Sequence, residues 1–192
     1  LDKVHSYQQF STVVCDNYSG AYQLTEHLIA YGHTNIAYLS RFPKDEVSSI
    51  SERYQGFSDC MQKNGVKINP KFVNTSLTDN YHLLKHVIGS LFKAGVTAIE
   101  CENDEVAFNV YMCCRSLSIQ VPEQMNITGF DNIDWATTGS AQITTVDQNF
   151  EKIGTEFAKI ILQPELPPAV HKISVELIPR SSTGPKKQIA RR

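Results

Sequence analysis

No apolar run in this 192-residue chain approaches the ~20 residues a helix needs to cross a bilayer. No charged, apolar, small-residue sequence of a secretory signal opens it. Charge of neither sign dominates: 18 Lys and Arg stand against 20 Asp and Glu, a net charge of −2, which gives no general pull toward nucleic acid or anionic lipid. The five cysteines (Cys15, Cys60, Cys101, Cys113 and Cys114) are odd in number and form no C-x-x-C. That excludes a fully paired disulfide framework and points to reduced thiols in a cytosolic protein. Internal repeats and low-complexity segments are missing. So are the G-x-S-x-G elbow, the Walker loop and the G-x-G-x-x-G turn, which leaves an enzyme reading little to stand on. Ser90 and Lys93 fit S-x-x-K without its partner motifs. His82 and His86 sit one helical turn apart without a third ligand, so no metal site is expected and no cofactor is implied.

What is present is a globular composition, 41% hydrophobic and 20% charged, arranged as alternating strands and helices. Residues 10–15 read as a strand, and Asp16-Asn17 opens a helix that carries Ala21, Leu24, Leu28 and Tyr31 on one face and ends at Gly32. A strand over 35–40 follows, then a helix over 49–64 with Ile50, Tyr54, Phe57 and Met61 as its apolar stripe. Residues 71–74 read as a short strand and 79–93 as a helix with Leu83, Leu84, Val87, Ile88 and Leu91. A strand over 97–102 stops at Asn103-Asp104, and the next helix runs to about Leu117. Strands over 125–130, 142–146 and 173–178 complete the pattern, with a helix over 150–162 before the last. This alternation predicts an α/β fold with a doubly wound parallel sheet and right-handed crossovers.

In a parallel sheet the strands end on one edge, where open α/β folds place their ligand contacts. The strand ending at Ser40 leads toward Arg53. The next delivers Asn103 and Asp104, and the one ending at Phe130 delivers Asp131 and Asn132. A guanidinium, a carboxamide and a carboxylate on one rim suit a small polyol or sugar, whose hydroxyls both donate and accept. Each has a plainer role open to it: Asn103 or Asp104 as a helix cap, Asp131 as a turn residue, Arg53 as a solvated helix charge.

Taken in order, several segments resemble one known family. They are Asp16-Asn17 with Gly20-Ala21; His27 through Gly32-His33 to Leu39; Glu52-Arg53 with Gly56-Phe57; and Asn103-Asp104. Further along come Val121-Pro122, Gly129-Phe130-Asp131-Asn132, Ile143 through Gln148, and Arg180 through Thr183-Gly184. Together they resemble the effector-binding core of LacI/GalR-type transcription regulators, which is periplasmic-binding-protein-like (type I). The resemblance implies two lobes around a sugar cleft, with this chain supplying the C-terminal lobe and a fragment of the other. Residues 1–15 would end the N-terminal lobe and 16–149 form the C-terminal lobe. Residues 150–166 would return to the N-terminal lobe, 167–185 hold the final strand of the C-terminal lobe, and 186–192 form a basic tail. The chain starts at Leu1, not Met, and reads as part of a longer protein whose DNA-binding headpiece, LacI- or GntR-type, lies outside it.

The resemblance implies effector contacts at Arg53, Asn103 and Asp131, with Gln148 near the hinge, Asp2 near a ligand position, and Ser49 and Leu77 on the walls. Asp104 then reads as a cap or lobe brace. It further implies a small sugar or sugar phosphate as effector, operator DNA as the partner of the headpiece, a cytoplasmic homodimer without a membrane partner, and no catalysis. The 106–117 helix and Asp134-Trp135 are candidate dimer surfaces. Three places depart from the family pattern: Asn132 where a second Asp is common, Ser40-Arg41 where Gly is frequent, and Glu102 just before the Asn-Asp pair. The alternative is a periplasmic or extracellular sugar-binding protein for transport or sensing, which shares the cleft. The unpaired cysteines and the Gly32-His33 and Arg180-to-Thr183 segments speak for a regulator.

Overall fold

The structure is a computed structural model in which residues 10–43, 47–77, 80–140, 142–163, 165 and 167–187 are described. Eight strands and five α-helices follow one another: β1 (Thr12–Cys15), α1 (Asn17–Ala30), β2 (Ile36–Leu39), α2 (Ser48–Lys63), β3 (Val73–Asn74), α3 (Tyr81–Lys93), β4 (Ala98–Cys101), α4 (Asp104–Ser116), β5 (Asn126–Thr128), β6 (Thr145–Asp147), α5 (Phe150–Leu162), β7 (Val170–Ile173) and β8 (Glu176–Ile178). The central sheet is parallel, in the order β3-β2-β4-β5. Because side chains alternate across a strand, β2 splits its residues between two cores. Ile36 and Tyr38 meet Leu28 of α1 and Phe57 and Met61 of α2, while Ala37 and Leu39 meet Leu84 and Ile88 of α3 and Val110 of α4. The helices therefore cover both faces, as expected for a doubly wound sheet.

Local chemistry sets the ends of these elements. Asp16 caps α1, its Oδ1 accepting from Ser19 N at 3.1 Å. Gly32, at φ +86°, closes that helix where a side chain would be strained. The α1/α2 crossing is close enough that a Cβ on Gly56 would lie 2.3 Å from the carbonyl oxygen of Tyr18. The expected strand over 71–74 is mostly a 3₁₀ turn (Pro70–Phe72), started by Asn69, and only Val73 and Asn74 pair with β2.

The last strand expected over 173–178 is two strands. β7 runs parallel to β1, and β8 runs antiparallel to β6. Ser174 and Val175 carry the chain between them, so the first part of 167–185 pairs with β1 and the second with β6. In the tail, Lys186 N donates to Tyr31 O at 2.8 Å. All five cysteines are buried, and none forms a disulfide with another described residue. No helix among the described residues is long and apolar enough to cross a membrane.

A polar row runs through the face covered by α1 and α2. Tyr38, Glu100 and Thr128 stand side by side in register, and each keeps a buried oxygen without a hydrogen-bond partner. Glu100 Oε2 accepts from Thr25 Oγ1 at 2.7 Å. Burial pushes the Glu100 carboxyl up to about 8, against a smaller lowering by Thr25. Between about pH 4.5 and 8 the unfolded chain releases a proton that the folded chain retains, so stability falls as pH rises through that window and levels off above it. Glu100→Gln removes this loss. Thermal unfolding from about pH 5 to about pH 8 should show the wild type declining more steeply than the variant, by on the order of several degrees.

Candidate effector-binding site

The C-terminal ends of β2, β4 and β5 meet α2 at one rim, and Arg53 is its hub. Its side chain enters from the second turn of α2 and is only 7% exposed. Nε donates to Asn17 Oδ1 at 2.8 Å and Nη1 to the Glu102 carbonyl at 2.5 Å, while Nη2 pairs with Asp131 Oδ1 at 3.3 Å. The guanidinium lies 3.7 Å from the centre of the Phe130 ring. A buried cation needs this set of acceptors to offset lost hydration. Among the described residues these contacts use three of its five N–H donors.

Asp131 adopts φ +113°, a conformation that costs a non-glycine residue ~1–3 kcal/mol and clusters at functional sites. Gln148 Nε2 donates to the same Oδ1 that Arg53 engages. The structure thus brings Arg53, Asp131 and Gln148 into direct contact.

Of the two candidates for the helix cap, Asn103 supplies it, and Asp104 takes the bracing role. Asn103 caps α4, its Oδ1 accepting from Val106 N at 2.9 Å, which leaves its Nδ2 as the group able to meet a ligand. Asp104 is fully buried and braces the lobe. Oδ1 accepts from Thr145 Oγ1 at 2.5 Å and Oδ2 from Ile133 N at 3.0 Å. Burial pushes its carboxyl up to about 7 despite those two donors.

Ser49 is buried and lines a pocket of about 530 Å³ with β1, Asn17, Ser48, Glu52, Arg53, Gln148 and Phe150, Ile153 and Phe157 of α5. Leu77 lies elsewhere, in a smaller hollow of about 220 Å³ with Arg41, Tyr81 and Glu105. Asp2 is outside the described residues. An open hollow of about 580 Å³ at the far end of α4, lined by Tyr111, Arg115 and Ser118, is remote from this rim. His82 and His86 are exposed, and no group of three or more metal-ligating side chains occurs among the described residues. His33 is buried, its ring nitrogens facing Thr97 Oγ1 at 2.9 Å and the Gly184 carbonyl at 3.2 Å, a packing role.

Two of the departures prove to be a single network. Ser40 Oγ donates to Glu102 Oε2, Arg41 Nε meets Glu102 Oε1 at 3.3 Å, and Arg41 Nη2 meets Glu105 at 3.0 Å. The side chain of Glu102 is thereby held while its carbonyl holds Arg53. Asn132 uses both halves of its amide, accepting from Arg180 Nη2 at 2.5 Å and donating to Asp147 Oδ2 at 3.0 Å. An Asp there could not donate to Asp147. Sequence reading missed Asn17, Phe130 and the Glu102 carbonyl as partners of Arg53, although Asn17 stood in the motif read as a helix opening.

Residues 25–183 match the family of periplasmic binding protein-like domains. The chain belongs to this family. It is 27% identical over 179 residues to the HTH-type transcriptional regulator RegA of Clostridium saccharobutylicum, covering 90% of this chain and 53% of that protein. It is 28% identical over 181 residues to the arabinose metabolism transcriptional repressor of Geobacillus stearothermophilus, covering 89% and 49%. A solved LacI family transcriptional regulator from Enterococcus faecium with bound ribose superposes with a TM-score of 0.79 at 25% identity, covering 92% of this chain and 66% of that one. The chain spans about half the length of the curated relatives it matches. It is an α/β domain of the kind these regulators carry.

The close approach behind Asp104 gives a sharp test of the bracing role. A Cβ on Gly129 would lie 2.2 Å from Asp104 Oδ1 and 3.2 Å from the Ala107 side chain. Gly129→Ala should cost ~1–3 kcal/mol and lower the midpoint of thermal unfolding by roughly 2–10 °C.

Proposed function

We propose that this chain is the effector-binding core of a LacI/GalR-type transcription regulator, most of whose first lobe and whose DNA-binding headpiece lie outside these residues. A small sugar or sugar phosphate binds between the C-terminal lobe and the lobe to which β1, β7 and α5 belong. The observation that carries this reading is that Arg53 and Gln148, both bonded to Asp131, line one pocket together with β1 and α5. The names of the relatives support a regulator over an exported sugar carrier or an enzyme. Five buried cysteines without a disulfide among the described residues fit a cytoplasmic protein.

Ligand binding acts through differential affinity for two lobe arrangements. In a dimer the two headpieces read half-sites about one helical turn of DNA apart, so a change in lobe angle places or misplaces one of them. The dimer surface is α4 with the short turn Asp134–Thr137. There the rings of Phe108 and Trp135 lie 4.9 Å apart and Trp135 is 44% exposed, an apolar patch suited to a second copy.

The test is a thermal-shift screen of the full-length protein against pentoses, hexoses and their phosphates. A sugar that raises the unfolding temperature should lose its effect in Arg53→Ala and in Asp131→Ala. Gln148→Glu sets a second carboxylate against Asp131 and should weaken the same ligand. A shift that persists undiminished in all three variants places the ligand elsewhere.

A further inference from the structure

We infer that Asn132 is a positioning residue of the effector cleft: from outside the pocket, and through Asp147, it fixes where Gln148 and the start of α5 stand relative to Arg53. The inference rests on the cleft reading above and adds to it a residue that touches no ligand. Residues 131–132 and 147–148 are joined in three ways. Their backbones bridge at Asp131 and Asp147, and Asp131 N donates to Val146 O at 2.9 Å. Gln148 Nε2 donates to Asp131 Oδ1, the oxygen that Arg53 engages. Beside that rung, Asn132 Nδ2 donates to Asp147 Oδ2 at 3.0 Å. Gln148 lines the pocket, whereas Asn132 and Asp147 are not among the described residues that line it.

The neighbours of Asn132 dictate which way its amide faces. Arg180 offers only donors, and its Nη2 lies 2.5 Å from Oδ1; the Asp147 carboxylate offers only acceptors and meets Nδ2. Both neighbours are themselves held. Arg180 Nη1 donates to the Ile143 carbonyl at 2.9 Å, and its backbone N donates to Thr144 Oγ1 at 2.9 Å. Asp147 Oδ1 accepts from Asn149 N at 2.7 Å, and Asn149 caps α5 by accepting from Lys152 N at 3.2 Å. A line of bonds thus runs from Arg180 through Asn132 and Asp147 to the first turn of α5, the helix whose Phe150, Ile153 and Phe157 line the pocket.

Backbone shape does not select Asn at this position. Its φ of +56° lies in the left-handed region that Asp tolerates as well as Asn. The donor is what distinguishes them. A carboxylate at 132 would keep Arg180 but set acceptor against acceptor and charge against charge at Asp147. That conflict is relieved when Asp147 moves away, and Gln148, the next residue, moves with it. The cluster around Arg53 then loosens with every pocket-lining group still present.

The experiment is calorimetric titration of the full-length protein with ribose, arabinose, glucose, ribose 5-phosphate, arabinose 5-phosphate and glucose 6-phosphate, with ligand-free thermal unfolding of each variant recorded alongside. For whichever probe gives heat, Asn132→Asp and Asp147→Asn should each weaken binding roughly two- to thirtyfold, the range for residues that act on a site without touching its ligand. Asp147→Asn does so because it leaves one oxygen for two donors. Asn132→Gly keeps the left-handed backbone without strain and removes only the amide. It should weaken binding toward the low end of that range, and it carries the test if Asn132→Asp does not fold. The double variant Asn132→Asp/Asp147→Asn turns donor and acceptor round while keeping the net charge, and it should return the affinity to within about twofold of wild type. Lower unfolding temperatures with unchanged affinity assign the pair to stability alone and overturn the inference. A double variant no tighter than the single ones overturns it too. Arg53→Ala separates the two levels. Binding lost in Arg53→Ala but unchanged in Asn132→Gly and Asp147→Asn sinks this inference alone, whereas binding indifferent to Arg53→Ala, or no heat with any of the six probes, sinks the cleft reading with it.

Discussion

One buried charge organises the rim. A guanidinium removed from water is tolerated only when its donors are satisfied, and breaking such a pair by removing one partner costs ~3–5 kcal/mol. Arg53 finds its partners on three separate segments: the first residue of α1, the carbonyl that ends β4, and the carboxylate that follows β5. Each segment is in turn fixed by something else. Glu102 is gripped by Ser40 and Arg41, Asp131 by Gln148, and Phe130 packs so closely beneath α1 that a Cβ on Gly20 would lie 2.6 Å from its ring. The strained backbone at Asp131 persists because these contacts over-determine it. The hub is thus a fastener for the fold.

The fold was largely legible because its signals are local. Caps, closing glycines and apolar stripes name helices, and short apolar runs between them name strands. The failures have one physical origin: a partner distant in sequence. The pattern over 173–178 alternates without a break, yet Ile173 pairs with Cys15 and Glu176 with Asp147, so the chain changes neighbours where nothing in its own alternation marks it. Asn103 is the same problem at atomic scale. Capping and ligand contact draw on one carboxamide, and only the position of Val106 N shows that Oδ1 is occupied. Arg53 could be placed on the rim from strand order, but Asn17, 36 residues away, could not be named as its acceptor.

The departures from the family pattern show why residues judged one at a time mislead. Glu102 alone looks like an extra charge in the pocket. In place, both its oxygens are engaged by Ser40 and Arg41, and Arg41 continues to Glu105 in the first turn of α4. The substitutions at 40, 41 and 102 make sense only together, since Glu102 without its partners would be a buried unpaired carboxylate. They also tie the carbonyl that holds Arg53 to the helix that presents Phe108 beside Trp135. This gives the rim a continuous bonded route to the surface suited to a second subunit. Contiguity alone does not measure coupling, which requires two states that both ends bias.

On the two-lobe reading proposed above, the three places at which the chain would pass between lobes set where those two states differ. They lie side by side. Asp16 N donates to Ile173 O at 2.9 Å, and Asp131 bridges Asp147. Cys15, Leu24, Phe130 and Val146 form a small core beneath them, with Ile153, Val175 and Leu177 packed against it. Asp131, which pairs with Arg53, and Gln148, which donates to Asp131, lie beside these crossings. A ligand that draws on them acts at the pivot itself, where little displacement is needed. The 13 residues of α5 begin there, right after Asn149 in its left-handed conformation, and extend ~20 Å at 1.5 Å per residue. A rotation of ~10° about that pivot therefore carries the far end of α5 by ~3–4 Å. That helix has no buried residue, and Phe150, Phe157, Ile161 and Leu162 are exposed along it. An amphipathic helix left bare in this way calls for a packed partner. On that reading the rest of the first lobe, seated on it, would follow the same rotation.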